Sequence, residues 1–465
     1  TTVQTRVISN TNADILDASN ANFEIRGNIA LTAPVSTSQW PNGYPQTIAW
    51  TLNSNTTNVN IYYSLDNGGT YTLITTGGPV NAKNVDTTHG KYSWTPPLTA
   101  VSAVSKIKVV DSADGNVLGI SDTFALIPSI KVTSPDAGTE VWKVGDTQNI
   151  TWTLGGSFAN AKIEYSTDGG VTYPPANVIV ASTPAAALTY PWTIPDAIGA
   201  QVKVKISDVL NPATIYDASD NNFNIKGKLV VSVPNGANVY TVGSSEVISW
   251  QKFGTLGNIN IKYSTDGGAT YPNLITVTAV PAANLNYTWT PIPDTIGTTV
   301  KVLLELVSDP GGVFDVSDAN FSIKGSLTLT APNGGQTLNV GAGTNITWTK
   351  NGSIGNVELS YSTDGGTTFP PANLIATGLL PTASPYAWTA PDNISSLVRV
   401  KVLLISDTSI FDISDSNLAI KGTLVITAPN TGLEKWEVGT SQAITWTRNG
   451  ASMGTVKLDY SKNGG

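Results

Sequence analysis

The sequence contains no cysteine, a single methionine (Met453) and a single histidine (His89). Without thiols there are no disulfides, thiolate metal sites or cysteine nucleophiles, so stability must come from packing alone. Charge is scarce as well. Asp, Glu, Lys and Arg make up 12% of the residues, against roughly 25% in an average soluble domain. Thr, Ser, Asn and Gly must therefore cover the surface. A net charge of −8 leaves no basic field to hold phosphate backbones or anionic lipid, which argues against nucleic acid as a partner. No apolar run approaches the roughly 18 to 20 residues a membrane-spanning helix needs, so no membrane span is expected in this segment. The balance is that of secreted surface proteins.

What is present is a period. Ile150-Thr151-Trp152, Ile248-Ser249-Trp250, Ile346-Thr347-Trp348 and Ile444-Thr445-Trp446 follow one another at steps of 98 residues, and Ile48-Ala49-Trp50 precedes them by 102. Ten residues before each Trp stands a large apolar side chain: Trp40, Trp142, Tyr240, Leu338 or Trp436. A second Trp closes each complete unit, at Trp94, Trp192, Trp289 and Trp388. Boundaries repeat in Phe223-Asn224-Ile225-Lys226-Gly227, Phe321-Ser322-Ile323-Lys324-Gly325 and Leu418-Ala419-Ile420-Lys421-Gly422. The expected domains are 27–127, 128–226, 227–324 and 325–421 (repeats 1 to 4), flanked by the C-terminal part of one domain at 1–26 and the N-terminal part of another at 422–465. A linker of about two residues forces neighbours together, and a stiff rod is expected.

Within repeat 3, Ile259, Ile261 and Tyr263 alternate with polar residues, and the same phase recurs in Ala161, Ile163 and Tyr165 and in Val357, Leu359 and Tyr361. Period-two alternation marks half-buried strands. Several short strands per repeat, Gly and Pro turns between them and no helical stretch predict an all-β fold of tandem immunoglobulin-like antiparallel β-sandwich domains. A Trp among β-branched residues most often fills the space between two sheets. Trp50, Trp152, Trp250, Trp348, Trp446, Trp94, Trp192, Trp289 and Trp388 are therefore assigned to the structural core, with a sugar-binding platform as the alternative for Trp.

Each repeat also carries Ser-x-Asp-x-Gly-x-Thr-aromatic, from Ser64 to Tyr71, Ser166 to Tyr173, Ser264 to Tyr271 and Ser362 to Phe369. Asp66, Asp168, Asp266 and Asp364 are read as hairpin-turn residues. Asp bonds backbone N–H groups nearby, Gly supplies positive φ, and the Thr and aromatic are expected to restart the strand. The pattern resembles the Asp-box of sialidases and other secreted β-rich proteins. Sialidase boxes sit on propeller blades of about 50 residues, whereas here one box recurs every 98 residues without a recurrent Arg cluster.

Taken together, Thr133-Ser134-Pro135, Val141-Trp142-Lys143-Val144-Gly145, Ile150-Thr151-Trp152-Thr153, the Asp168 box, Tyr190-Pro191-Trp192 and Val204-Lys205-Ile206-Ser207-Asp208 resemble a widespread family. It is the Ser/Thr-rich surface-protein domain shared by yeast cell-wall glucan-assembly and GPI-anchored proteins and by giant bacterial exported proteins. The resemblance covers essentially the whole chain. It implies an immunoglobulin-like fold and a cell-envelope location, and it carries no catalytic residues.

The search for chemistry yields little. His89 has no counterpart in other repeats and reads as a solvated loop residue; Glu305 lies within a strand whose counterparts lack it. Asp217 and Asp220, Asp315 and Asp318, and Asp412 and Asp415 recur just before each last strand. Such hard oxygen ligands could hold Ca²⁺ at a junction, although roughly six to eight ligands are needed and Asx residues favour turns anyway. No other cofactor is expected. Sequons stand at Asn55, Asn149, Asn286, Asn320, Asn345, Asn351 and Asn393, which would make a glycoprotein where the host glycosylates them. Equal repeat lengths leave no room for an inserted catalytic loop, and no enzyme activity is expected. The expected function is that of an extracellular structural protein whose repeats self-associate into a surface-layer (S-layer) lattice, fibre or stalk. The alternative is an adhesin, or carbohydrate-binding spacers of a polysaccharide-active enzyme, bound to cell-envelope glycans. On that alternative Tyr173, Tyr271 and Phe369 are the side chains of interest.

Overall fold

The computed structural model describes residues 2–464, so positions 1 and 465 of the two terminal segments lie outside the described residues. Strands account for nearly all regular structure, and no α-helix occurs among the described residues. Repeat 2 serves as the reference. Its strands are β1 (Ser129–Ser134), β2 (Val141–Lys143), β3 (Thr147–Gly155), β4 (Asn160–Ser166), β5 (Val178–Pro184), β6 (Thr189–Thr193), β7 (Gly199–Asp208), β8 (Tyr216–Ala218) and β9 (Phe223–Lys226).

These form two sheets. The small sheet has the order β1-β3-β6; the large one runs β2-β9-β7-β4-β5, with β8 added to β7. All pairs are antiparallel except β2 with β9, which is parallel and sets Trp142 opposite Ile225. Alternation explains the layering. Along β3, Ile150 and Trp152 are buried while Asn149 and Thr153 are exposed, and from the facing sheet Ile163, Val204, Ile206, Phe223 and Ile225 meet them. Each such side chain contributes about 1.5–3 kcal/mol through removal of apolar area from water. Repeats 1, 3 and 4 build their own cores in the same way. The chain is an immunoglobulin-like tandem β-sandwich protein.

One edge of the large sheet alternates along the chain. In repeats 2 and 4 it is a continuous strand, β5 and Leu374–Leu379, each preceded by a 3₁₀ turn at Pro175–Asn177 or Pro371–Asn373. Both strands are bulged against their neighbours. In repeats 1 and 3 the edge splits into stubs, Thr72–Leu73 and Val80–Asn81 or Asn273–Leu274 and Val280–Pro281. Between the stubs a buried threonine takes over the missing backbone bond: Ile61 N–H donates to Thr75 Oγ1 at 3.2 Å and Ile261 N–H to Thr276 Oγ1 at 3.4 Å.

The chain divides into two compact units. The first runs to Gly227 and includes Phe253–Thr255; the second comprises the remainder from Lys228. In the first unit, the segment before repeat 1 forms two small antiparallel pairs, Thr2–Val3 with Phe23–Glu24 and Arg6–Ile8 with Leu16–Ala18. In the second, Thr423–Ala428 pairs with Thr445–Asn449.

Candidate functional site: capped hairpins and repeat junctions

The Asp hairpins are built identically four times. In repeat 1, Ser64 Oγ donates to Asp66 Oδ1 at 2.7 Å and accepts the Gly68 N–H at 2.8 Å; Asp66 in turn accepts the Thr70 N–H and hydroxyl, each at 2.8 Å. The carboxylate thus ties the turn to a residue four positions on. Asp168, Asp266 and Asp364 repeat this with Thr172, Thr270 and Thr368. Two successive residues take positive φ, Asn67 with Gly68 or a Gly pair such as Gly267 (φ 76°) and Gly268 (φ 94°), a conformation that favours glycine. The hydrogen bonds from Ser64 and Thr70 hold the Asp66 carboxyl down at about 2, and Asp168 is held at about 2 likewise. Asp266 and Asp364 are lower still.

The aromatic that ends each box does not restart a strand. Tyr173 and Phe369 lie in loops, and a lysine ammonium stands over each ring: Lys205 at 4.9 Å from the Tyr173 centroid, Lys401 at 4.3 Å from Phe369, and in repeat 1 Lys108 at 3.9 Å from Tyr71. Leu303 takes the lysine's register in repeat 3, opposite Lys262. In repeat 1 the strand stub Thr72–Leu73 follows the aromatic directly, whereas in repeats 2 and 4 a 3₁₀ turn intervenes.

Eight of the nine assigned tryptophans are buried. Trp50, Trp152, Trp250 and Trp348 are 1–4% exposed, and Trp94, Trp192, Trp289 and Trp388 are 5–7% exposed. The first set satisfies its indole N–H on a loop carbonyl, at Ala82, Ala185, Ala282 and Pro381 and 2.9–3.0 Å. Trp446 departs from the core assignment at 37% exposed. Its strand belongs to a two-stranded sheet, and its ring lines an open cavity together with Leu424, Ile426, Val456, Lys457 and Leu458.

The recurrent Asp pairs divide their work. Asp217, Asp315 and Asp412 each accept a backbone N–H from the small sheet, at Val132, Val231 and Leu329, over 2.7–2.8 Å. They bridge the two sheets within a repeat; burial pushes the Asp217 carboxyl up. In repeat 1 Gly119 holds that register, and the backbone of Ile29 lies so close that a Cβ would meet its carbonyl oxygen at 2.3 Å. Asp318 and Asp415 form reciprocal pairs with Asn235 and Asn333, amide to carboxylate at 2.7 Å and backbone N–H to amide oxygen at 2.6 and 2.9 Å. Repeat 2 has Asp136 in that place, and Lys131 joins Asp220 at 3.2 Å. Among the described residues no three His, Asp or Glu side chains converge as a metal-holding group. His89 is exposed at the start of its strand, bonded to Asp86 at 2.8 Å, and Glu305 pairs with Lys262 at 2.7 Å.

The junctions between repeats carry interactions that sequence reasoning missed. In the second unit, Asp294 of repeat 3 accepts the Ser353 N–H at 2.9 Å and its hydroxyl at 2.6 Å, and Lys324 of repeat 3 reaches Asp407 of repeat 4 at 2.8 Å. Apolar contact accompanies them. Gly352 (φ +85°) lies against Ile296 and Val242, and a Cβ on the linker Gly325 would come within 2.2 Å of Ile354. Asp392 repeats the hook on Ala451 N–H and on the Ser452 hydroxyl, the latter at 2.7 Å. Hydrogen bonds from Ser353 and from Ser452 and Ala451 lower the carboxyls of Asp294 and Asp392. In the first unit, repeat 1 reaches repeat 2 through the Tyr44 hydroxyl, which donates to Ile130 O at 3.3 Å. The recurring Pro293-Asp294 and Pro391-Asp392 dipeptides were the available signal. All seven sequon asparagines are exposed.

No family model matches the chain and no curated protein is similar to it. Among solved structures, the N-terminal four Ig domains of Dscam1 isoform 6.44 match at 10% identity, covering 86% of this chain and 100% of that one with a TM-score of 0.23. Dscam1 isoform 4.44 matches at 11%, covering 85% and 100%, with a TM-score of 0.24. The fibronectin(III)-like modules of Clostridium thermocellum CbhA match at 18%, covering 42% and 94%, with a TM-score of 0.16. At these identities and scores the likenesses carry no assignment of function.

Proposed function

We propose that this chain is a non-catalytic structural protein of the cell surface, its repeats 27–127, 128–226, 227–324 and 325–421 serving as domains that supply length and surface in an S-layer lattice or an extracellular fibre. The observation that carries the reading is the junction between repeats 3 and 4. A linker without room for a side chain, a two-point carboxylate hook and an ion pair fix one sandwich on the next, which a spacer needing only flexibility would not require. The tandem immunoglobulin-like architecture fits a structural or adhesive role, and the Ser/Thr-rich surface-protein resemblance supports the envelope location. Self-association would use surfaces outside the junctions.

Cryo-electron microscopy of the native envelope and of purified protein tests this. An ordered sheet or filament tiled by these repeats supports it; dispersed single chains in both preparations would sink the lattice and the fibre together. The adhesin or carbohydrate-binding spacer remains as the second reading, favoured by the loop aromatics laid over the large sheet.

A further inference from the structure

The outer face of the large sheet differs among repeats at one register. Residues 62, 164, 262 and 360 occupy it, paired across the strand with 108, 205, 303 and 401. In repeat 1 the place is filled by Tyr62, with Lys108 at 5.0 Å from its ring. Repeat 2 has Glu164, ion-paired with Lys162 and, at 3.0 Å, with Lys205. Repeat 3 has Lys262, paired with Glu305. Only in repeat 4 is the side chain small and neutral, and there a cavity of about 200 Å³ opens, lined by Glu358, Ser360, Phe369, Pro370, Pro371 and Leu374.

The polar group at its floor is unfinished. Ser360 is 4% exposed, and its buried Oγ has no hydrogen-bond partner among the described residues. Buried hydroxyls are nearly always partnered, so one left unpaired in the lining of a cavity marks a place where a ligand, on displacing the side chains that cover the hydroxyl, completes the bonding. The rest of the wall is of two kinds. Phe369, held under the Lys401 ammonium, and the two prolines are flat and apolar, while Glu358 supplies a carboxylate acceptor.

We propose that this cavity is a saccharide subsite that takes one pyranose ring of a neutral glycan. A pyranose has an apolar face of C–H groups to lie against Phe369 and the prolines, and hydroxyls to donate to Glu358 and to exchange hydrogen bonds with Ser360 Oγ. The cavity is smaller than the roughly 300–1,000 Å³ of drug-sized sites, which limits it to a single ring. A flat aromatic ligand would leave Ser360 and Glu358 unmet, and with the Glu358 carboxylate and the Lys401 ammonium both beside the cavity neither sign of ligand charge is favoured. This site stands independently of assembly, because it lies wholly within repeat 4.

The test is binding of the full chain to an array of neutral hexose and N-acetylhexosamine oligosaccharides, with affinities of the hits measured by calorimetry on dispersed protein. Ser360→Tyr places in repeat 4 the residue that repeat 1 already carries, so it should fold, and it is expected to weaken binding at least tenfold. Phe369→Ala and Glu358→Gln should each weaken it as well, whereas Tyr71→Ala in repeat 1 should leave it unchanged. Absence of neutral-glycan binding at millimolar concentration overturns the proposal. So does binding indifferent to Ser360→Tyr in a variant whose melting is unchanged, or preference for acidic glycans or a proline-rich peptide. Because the measurement is made on dispersed chains, its result does not depend on whether a lattice forms.

Discussion

Asp294 and Ser353, 59 residues apart, meet at the boundary of repeats 3 and 4, where one carboxylate takes both the backbone N–H and the hydroxyl of the serine. The contact joins two repeats that each have their own core and share almost no linker, so its loss should loosen their mutual orientation without unfolding either. Asp294→Ala is expected to lower hydrogen-exchange protection of the Ser353 amide by roughly tenfold, the scale of a charge-assisted bond discounted for exposure. Protection in the core of repeat 3 should stay the same. Equal loss throughout repeat 3 would show that the hook stabilises the domain and not the junction.

The hairpin carboxylates predict how the protein meets acid. Their folded-state pKa values lie below the ordinary carboxylate value, at about 2 for Asp66 and Asp168. A depressed pKa contributes stability that is present above the unfolded value, near 4, and is lost as pH falls through the folded one. Melting temperature should therefore hold from pH 7 to about 4 on this account and decline between about 4 and 2, followed by circular dichroism. Asp217 has the opposite sign, since burial raises it. Asp217→Asn keeps an oxygen for Val132 N–H and removes a half-buried charge, so it should leave the melting temperature at pH 7 equal or higher and give no gain at pH 3.

Ser264 is fully buried beneath its hairpin, where its hydroxyl donates to Asp266 and accepts the Gly268 N–H at 2.9 Å. Ser264→Ala leaves the Gly268 N–H without its acceptor and takes one bond from Asp266, which keeps those from Thr270, and should cost about 1–3 kcal/mol in chemical denaturation of repeat 3. A cost below about 0.5 kcal/mol would show that the turn holds without its serine.

Trp250 and Trp446 occupy the same place in the repeat and different surroundings. Trp250→Ala should cost about 3–5 kcal/mol through cavity formation and loss of the bond to Ala282 O. Trp446→Ala should cost much less, because its ring is already 37% exposed. Tryptophan fluorescence of the parent protein and the two variants during urea unfolding separates them, and equal costs would contradict the burial difference.

Calcium can be tested directly. Each candidate carboxylate already has a partner: Asp217 and Asp315 hold backbone amides, while Asp318 and Asp415 hold asparagines. Millimolar EDTA or added Ca²⁺ should shift the melting temperature by less than about 1 °C, a ligand of the folded state being otherwise stabilising by mass action. A rise of several degrees with Ca²⁺ would make the Asp pairs ligands after all.

The sandwich was legible because burial writes itself into alternation. Ile150 and Trp152 face inward for the same reason that Asn149 and Thr153 do not, and the indole of Trp152 could be placed without knowing its partner. The hairpin Asp was legible as a turn residue, but not its reach to Thr172, because a four-residue span offers the carboxylate several N–H and O–H donors that sequence alone does not rank. The junction hook was illegible for a different reason: Asp294 and Ser353 are related only through the docking of two repeats, and a Pro-Asp dipeptide reads locally as a turn. The Ser360 cavity depends on what neighbouring strands leave unfilled, which a residue-by-residue comparison of repeats does not weigh.

The alternating edge of the large sheet bears on how such a chain avoids entangling itself. Tandem domains of similar sequence are prone to exchange strands with a neighbour while folding. Here the strand beside Tyr165 is one bulged segment led in by prolines, while its counterpart beside Tyr263 is two stubs pinned by Thr276. A segment from repeat 2 offered to repeat 3 would bring an unbroken strand whose Thr183 lies in the register of Ala161, two residues from the position that Thr276 serves. Nearest neighbours are thereby poor substitutes for one another, and the interchangeable segments are kept two repeats apart.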